Sequence, residues 1–370
     1  MNAFSSRRRA LAVAVSALAA LTLSTSVLAQ APTASVSWGQ AMNQEAAWYA
    51  SPESVRIAEN LLLYQHPNGG WGKNIDMAQP LDAAARQRIR AESDTVETLI
   101  DNGATHTQLR YLARVYSAAG EERFRTAFLR GMDYLLEAEY DRGGWPMIYP
   151  IRRGYYEHIT FNDNAMIGVM RLLRDAASGE APYTFVDSGR RSRAAGAIER
   201  GLRVILDSQI VVNGRKTAWC AQHDRVDLRP RPARAYELVS LSGMESVAIV
   251  EYLMEIESPS QEVIAAIEAA VNWLESAKLT GMELRTVRDE ALPRGFDRVV
   301  VSNPSAPPLW ARFYEIGTNR PMFVGRDGVV RERLADIEHE RRVGYSYLGG
   351  WPRDLLETAY PAWKARMGRS

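Results

Sequence analysis

Two short polar junctions carry the residue types best suited to chemistry. The stretches Ile100-Asp101-Asn102-Gly103-Ala104-Thr105 and Phe161-Asn162-Asp163-Asn164 each set an acid among amides just before an apolar run of helical period. Asp and Asn are favoured helix N-caps, so each junction has an ordinary structural reading. The functional reading comes from the pair. Carboxylates delivered to one end of neighbouring helix hairpins are hard oxygen donors of the kind calcium takes, which makes Asp101 and Asp163 candidate ligands of one Ca2+ ion. A second feature is the segment from Arg229 to Glu237, where Pro230 and Pro232 hold the backbone extended and Arg229, Arg231 and Arg234 line it. It reads either as a solvated basic loop or, at the mouth of a cleft, as a groove for carboxylates, because a guanidinium meets a carboxylate through two parallel hydrogen bonds. Lys73, Arg320 and Arg326 are further basic candidates for substrate contact. Trp71, Trp145, Tyr155 and Tyr156 lie near these segments and offer faces for sugar rings, the tryptophans having repeat packing as their alternative. Nucleophile elbows, phosphate loops, dinucleotide fingerprints, zinc-protease helices and EF-hand loops are all missing, and the five histidines show no metal-ligand spacing.

The elements that must position these residues are helices. Val55, Ala58 and Leu62 follow an N-cap and first-turn proline at Ser51-Pro52. Apolar stripes with the same period continue through Leu109 to Tyr116, Phe124 to Leu136, Met166 to Leu173, Ile198 to Ile205, Val247 to Leu253 and Val263 to Leu274, giving a helical pattern nearly everywhere to about residue 300. Asn68-Gly69-Gly70-Trp71, Arg142-Gly143-Gly144-Trp145 and Asn213-Gly214 with Trp219 close successive helices, and their tryptophans are 74 and 74 residues apart. That period fits two helices and their connections, so the expected fold is mainly α: helix hairpins packed as an α/α toroid, of (α/α)3 type, forming one catalytic domain over residues 30–370. Gly349-Gly350-Trp351 falls off the period. After Pro304, Pro307 and Pro308, short strands are expected at 309–315 and 321–324 around an Arg326-Asp327-Gly328 turn, then a last helix over about 353–366.

Composition narrows the function classes. With 45 Lys+Arg against 44 Asp+Glu, the chain has no global field to hold nucleic acid. The first residues differ from the rest: Arg7, Arg8 and Arg9, then the apolar run 10–23, then Val27-Leu28-Ala29, the three regions of a secretory signal peptide spanning residues 1–29. The apolar run is shorter than the ~20 residues a membrane span needs, so the mature protein is expected without one, secreted or periplasmic, and monomeric. Cleavage after Ala29 removes three arginines and no acid, taking the formal charge from +1 to −2. Cys220 is the only cysteine, which excludes an intramolecular disulfide and leaves stability to the core.

Read in order, Asn-Gly-Gly-Trp-Gly-Lys-Asn (68–74), Thr-Leu-Ile-Asp-Asn-Gly-Ala-Thr (98–105), Gly-Gly-Trp-Pro (143–146), Ile-Thr-Phe-Asn-Asp (159–163), Ala-Arg-Ala-Tyr-Glu (233–237) and Gly-Arg-Asp-Gly (325–328) resemble the pectate lyases of polysaccharide lyase family ten. The resemblance covers nearly all of residues 45–366. It implies an α/α toroid, calcium, and cleavage of polygalacturonate by anti β-elimination, with Asp101 and Asp163 at the calcium and substrate site and Arg234 as the Brønsted base. Lys73 and Arg320 follow as substrate-carboxylate contacts. In that chemistry the C5 proton leaves from beside a uronate carboxylate, and charge grows on a group that is already an anion, so the site must supply positive charge there. An arginine base must be neutral to act. Near pH 10 that requires ~4 kcal/mol of destabilisation of the cation. Calcium with Arg229, Arg231 and Arg320 is the expected source, which implies an alkaline optimum. Two alternatives remain at this point: a glycoside hydrolase using Asp101 or Asp163 with Glu237, and a uronate-binding protein without catalysis.

Overall fold

The computed structural model describes residues 36–92 and 97–368, which fall in one compact unit; the signal peptide expected over 1–29 lies outside the described residues. The chain is mainly α with short strands. Helix α1 is a single capped turn, Trp38–Ala41, followed by α2 (Pro52–Tyr64), α3 (Ala83–Glu92), α4 (His106–Ala119), α5 (Glu122–Ala138), α6 (Ala165–Ser178), α7 (Ser188–Ser208), α8 (Glu245–Met254) and α9 (Gln261–Ser276). Their ends follow local chemistry. The Ser51 and Ser260 hydroxyls and the Asp187 carboxylate accept backbone N–H groups at the starts of α2, α9 and α7. Gly120 and Gly179 end α4 and α6 at φ 73° and 70°, where a Cβ would be strained.

The amphipathic helices bury their stripes in two layers. Helices α4, α6 and α8 pack side by side in one, α2, α5, α7 and α9 in the other, and the pairs α4/α5, α6/α7 and α8/α9 join the layers. These three helix hairpins are the ones the tryptophan period implied. The interface is filled by fully buried side chains including Leu112, Phe128, Leu135, Met166, Leu173, Ile205, Ile249 and Ile267, each contributing ~1.5–3 kcal/mol by leaving water. Cys220 is among them, and burial raises its thiol pKa, as befits a packed structural residue.

The sequence period has a physical cause. Trp71, Trp145 and Trp219 are wholly buried, and their indole N–H groups donate to Leu61 O (2.9 Å), Leu135 O (2.7 Å) and Ile205 O (2.7 Å). Each acceptor sits in the last turn of α2, α5 or α7, where helix carbonyls have no intrahelical donor. A fourth member was not visible in the spacing: Trp310 donates to Leu274 O at 2.8 Å, in the last turn of α9. The Gly-Gly-Trp351 repeat takes no part in this pattern; Trp351 is only half-buried. Burial also settles the alternative for Trp71 and Trp145, whose faces are closed to sugars.

The helical expectation up to residue 300 fails over Met282–Arg288 and Phe296–Ser302, which pair as an exposed antiparallel ribbon. The β-branched run Val299-Val300-Val301 favours strand, and the preceding segment follows it by pairing. Beyond it, Trp310–Ala311 pairs with Leu348–Gly349, Phe313–Tyr314 with Leu241–Ser242, and Phe323–Val324 with Val330–Arg331 across the expected turn. The chain ends in α10 (His339–Gly344), α11 (Pro352–Asp354) and α12 (Tyr360–Arg366), the last two joined through π-helical Leu355–Ala359. Trp71→Phe and Trp145→Phe should each lower stability by ~1–3 kcal/mol, the cost of an orphaned carbonyl, and Trp219→Phe and Trp310→Phe by less, because Ile205 O also accepts from the Ser208 hydroxyl and Leu274 O from Ala277 N, both at 3.3 Å, all read from urea midpoints. A neutral Trp310→Phe would remove it from the repeat.

Candidate active site

The starts of α4, α6 and α8 gather at one end of their layer, and each brings one acid. Asp101 lies in the turn before α4, Asp163 in the turn before α6, and Glu245 opens α8. Anions at helix N-termini face unsatisfied N–H groups and the positive end of the dipole. Backbone geometry aims them: Asn102 and Asp163 adopt left-handed φ values of 52° and 48°, a conformation Asn and Asp tolerate better than most residues.

One amide ties two of the acids together. Asn162 Nδ2 donates to Asp101 Oδ1 (3.2 Å) and Asp163 Oδ2 (2.8 Å), so two carboxylates from neighbouring hairpins meet as the spacing implied. Asp101 is 3% exposed, and its other oxygen takes the Lys73 ammonium. The other oxygen of Asp163 takes Arg312 Nη2 at 3.0 Å, and the same nitrogen reaches Asn162 Oδ1 (3.1 Å) and Glu245 Oε1. Glu245, with no exposed side-chain surface, has its second oxygen satisfied by the Ser242 hydroxyl. Burial works against the charge of Arg312, yet Glu245, Tyr345 and Asp163 outweigh it and hold its pKa above the ordinary value.

Arg234 stands beside this network. Its Nε and Nη2 bind Glu237 in a bidentate pair, with Nε–Oε2 at 2.7 Å, and the Tyr345 hydroxyl donates to Glu237 Oε1 at 2.7 Å. Tyr345 is the bridge between the two groups: the Arg312 guanidinium lies 4.8 Å from its ring centre and that of Arg234 5.8 Å. Tyr155 also feels the Arg234 and Glu237 charges, and burial raises its pKa. Desolvation opposes the Arg234 cation, but Glu237 dominates and its pKa is raised. Glu237 is lowered in turn, desolvation being outweighed by Arg234.

The positive cluster expected around Arg234 is a correction. Arg231 is held by Asp224 at 2.8 Å, Arg229 is 80% exposed opposite Asp227, and Arg320 pairs with Glu315 at 2.9 Å. Each arginine finds its own acid, so none lowers Arg234 in the resting protein. Arg326 reaches the site's edge: it pairs with Glu340 and lies 5.8 Å from the centre of the Tyr236 ring, on whose face Arg234 stacks at 4.9 Å. The structure therefore connects Lys73, Asp101, Asp163 and, through Tyr345 and Tyr236, Arg234 and Arg326; Arg231 and Arg320 are engaged elsewhere. Arg312, Glu245 and Tyr345 escaped the sequence reading. Glu245 had a signal, since it opens the third helix of a layer whose first two begin with Asp101 and Asp163. Arg312 and Tyr345 had none, because only tertiary packing brings them there.

As a calcium site the donors fit in kind. Asp101 and Asp163 offer hard oxygens held by one amide, but among the described residues no cluster of three acidic, His or Cys side chains could hold a metal alone.

The family model for pectic acid lyase matches residues 65–356. Two solved structures, a family 10 polysaccharide lyase from Cellvibrio cellulosa and an Asp-to-Ala mutant of such a lyase in complex with trigalaturonic acid, share 32% identity with the chain. Both matches cover 88% of this chain and 95% of the other, with TM-scores of 0.73 and 0.72. No curated protein matches. The fold and the match over most of its length define a polysaccharide lyase, and the chain belongs to the pectic acid lyase family. It is a pectate lyase, which sets aside the hydrolase and the non-catalytic readings. Because Arg312 neutralises a fully buried Glu245, Arg312→Gln should cost ~3–5 kcal/mol in denaturant unfolding; wild-type stability in that variant would contradict the pairing.

Proposed function

We propose that this pectate lyase is an exported monomer that cleaves polygalacturonate by calcium-dependent anti β-elimination, with Arg234 as the base. The observation that carries the reading is the tie from Asn162 to both Asp101 and Asp163, two carboxylates from separate hairpins beside Arg312 and, across the Tyr345 ring, Arg234. Bound calcium would act as a Lewis acid on the uronate carboxylate beside C5. Asp101 and Asp163 would hold it, with substrate oxygens completing a donor set that two carboxylates leave short. Lys73 and Arg312 already neutralise part of these acids, which favours metal entering together with substrate. Lys73, Arg326, Arg231 and Arg320 would each meet a uronate carboxylate by leaving its own acid, Asp101, Glu340, Asp224 and Glu315 respectively, and the first two lie nearest the acids and Arg234. Export follows from the basic head and apolar run of residues 1–29. Among the described residues no helix is long and apolar enough to cross a membrane.

Arg234 must surrender its proton before it can take one from C5. Glu237 opposes this, since an adjacent carboxylate favours the cation. Turning Arg234 from Glu237 towards the substrate would remove that stabilisation just where the base is needed. The neutral form then populates at high pH, and activity should rise along an alkaline limb.

The direct test is absorbance. Polygalacturonate should yield products with an ultraviolet-absorbing unsaturated end, and a chelator should abolish the signal. Calorimetry should find calcium binding weakly to the protein alone and more tightly with a galacturonate trimer. Saturated products, or activity indifferent to chelation, would overturn the scheme. Arg234→Lys should lose nearly all turnover while keeping substrate affinity. Glu237→Gln removes the charge that raises Arg234, so the alkaline limb should move to lower pH; an unmoved limb would mean that Arg234 is not the titrating group.

A further inference from the structure

Trp71 and Trp145 are sealed in the core, but another tryptophan stands at an open cavity next to the acids. Helix α1 is held by reciprocal bonds between Ser37 and Gln40, and the Trp38 backbone N–H donates to Asp76 Oδ1 at 2.9 Å. That bond fastens α1 to the loop 72–76, which carries Lys73. Between α1, this loop and the first turn of α4 lies a cavity of about 290 Å³, lined by Trp38, Lys73, Asn74, Asn102, Thr107 and Gln108. Its size is that of the smallest ligand pockets, ~300 Å³, and suits one sugar ring.

The walls and the turn behind them are built on strained backbone. Asn74 and Asn102 both adopt left-handed backbone, φ 61° and 52°, and Asn102 Nδ2 donates to Asn74 Oδ1 at 2.9 Å. Thr105, β-branched and at φ 65°, is held by its hydroxyl donating to Leu99 O (2.8 Å) and accepting from Trp71 N (3.1 Å). Such conformations persist where surrounding contacts over-determine them, and they cluster at ligand sites. Lys73 lines the cavity while its ammonium binds Asp101, so the space is continuous with the candidate catalytic acids. Asp76 is also in the wall, its oxygens held by Trp38 N, Ala78 N and Gln79 Nε2, so Lys73 is the group there that attracts an anion.

We propose that this cavity is a binding subsite for one further galacturonate residue of the polymer, distinct from the position of bond cleavage. Trp38, whose ring packs on Tyr111 with centroids 5.3 Å apart, supplies the stacking face on its cavity side, the Asn74 and Asn102 amides supply hydrogen bonds to ring hydroxyls, and Lys73, on leaving Asp101, supplies the cation for the carboxylate. The assignment rests on the pectate lyase reading and names where its substrate extends.

The test is kcat/KM on galacturonate oligomers from trimer to hexamer and on polygalacturonate. The wild-type protein should show a step of about tenfold at the length that first reaches the cavity. Trp38→Ala should erase the step and leave activity on the trimer unchanged; Trp38→Phe, which keeps an aromatic face, should restore most of it, and Asn74→Ala should reduce it. A step that survives Trp38→Ala overturns the subsite while leaving lyase activity intact, as does an equal loss on trimer and polymer. A wild-type protein inert on every length overturns the activity reading and the subsite with it.

Discussion

The site depends on a buried charge that must be answered. Arg312 and Glu245 are almost wholly removed from water, and ions so placed are tolerable only when paired and hydrogen-bonded. The pairing does more than satisfy Arg312. Its Nη2 also holds Asp163 and Asn162, and Asn162 holds Asp101, so a single guanidinium sets the spacing of acids that arrive on three different helices. Those acids sit at helix starts, where each is welcome on its own account; four negative or amide groups converge because one cation draws them together.

A different balance governs the arginine beside it. Arg234 is pinned by Glu237, which is pinned by Tyr345, whose ring also lies near Arg312. Rigidity has a cost here: the carboxylate that orients the guanidinium also keeps it charged. The proposed mechanism, which calls for a neutral arginine, would be served by a partner that can be left behind, and a bidentate pair with 43% of the arginine side chain exposed is such an arrangement. Arg312, by contrast, is enclosed, with 5% of its side chain exposed.

Both groups are held on a scaffold whose regularity lies in helix ends. Tryptophan indoles cover the last-turn carbonyls of α2, α5, α7 and α9, each closing one helix and directing the chain back towards the other layer. The return strands, two residues long where Ile159–Thr160 meets Gln222–His223 and where Leu241–Ser242 meets Phe313–Tyr314, deliver Asn162, Asp163, Glu245 and Arg312 to the same end. Fold and site are thus joined by short connections, and longer loops would have let the acids drift apart.

What could be read from the chain alone were features with local causes. Apolar period and N-cap chemistry marked the helices, the tryptophan spacing marked the hairpins, and the ordered motifs around Asp101, Asp163 and Arg234 marked the family. The ribbon at 282–302 was misread because a charged segment with scattered apolar residues fits a helix until its partner strand is known. Tertiary structure alone decided how each charge is compensated: that Arg231 and Arg320 go to Asp224 and Glu315, that Arg312 reaches Glu245 across 67 residues and Asp163 across 149 while Tyr345 reaches Glu237 across 108, and that Trp71 is wholly buried while Trp38 is half-buried at a cavity. The physical reason is range. Helix, cap and turn preferences act over a few residues and leave their mark in the sequence, whereas a charge is neutralised by whatever the fold brings within ~4 Å, and no spacing along the chain records that distance.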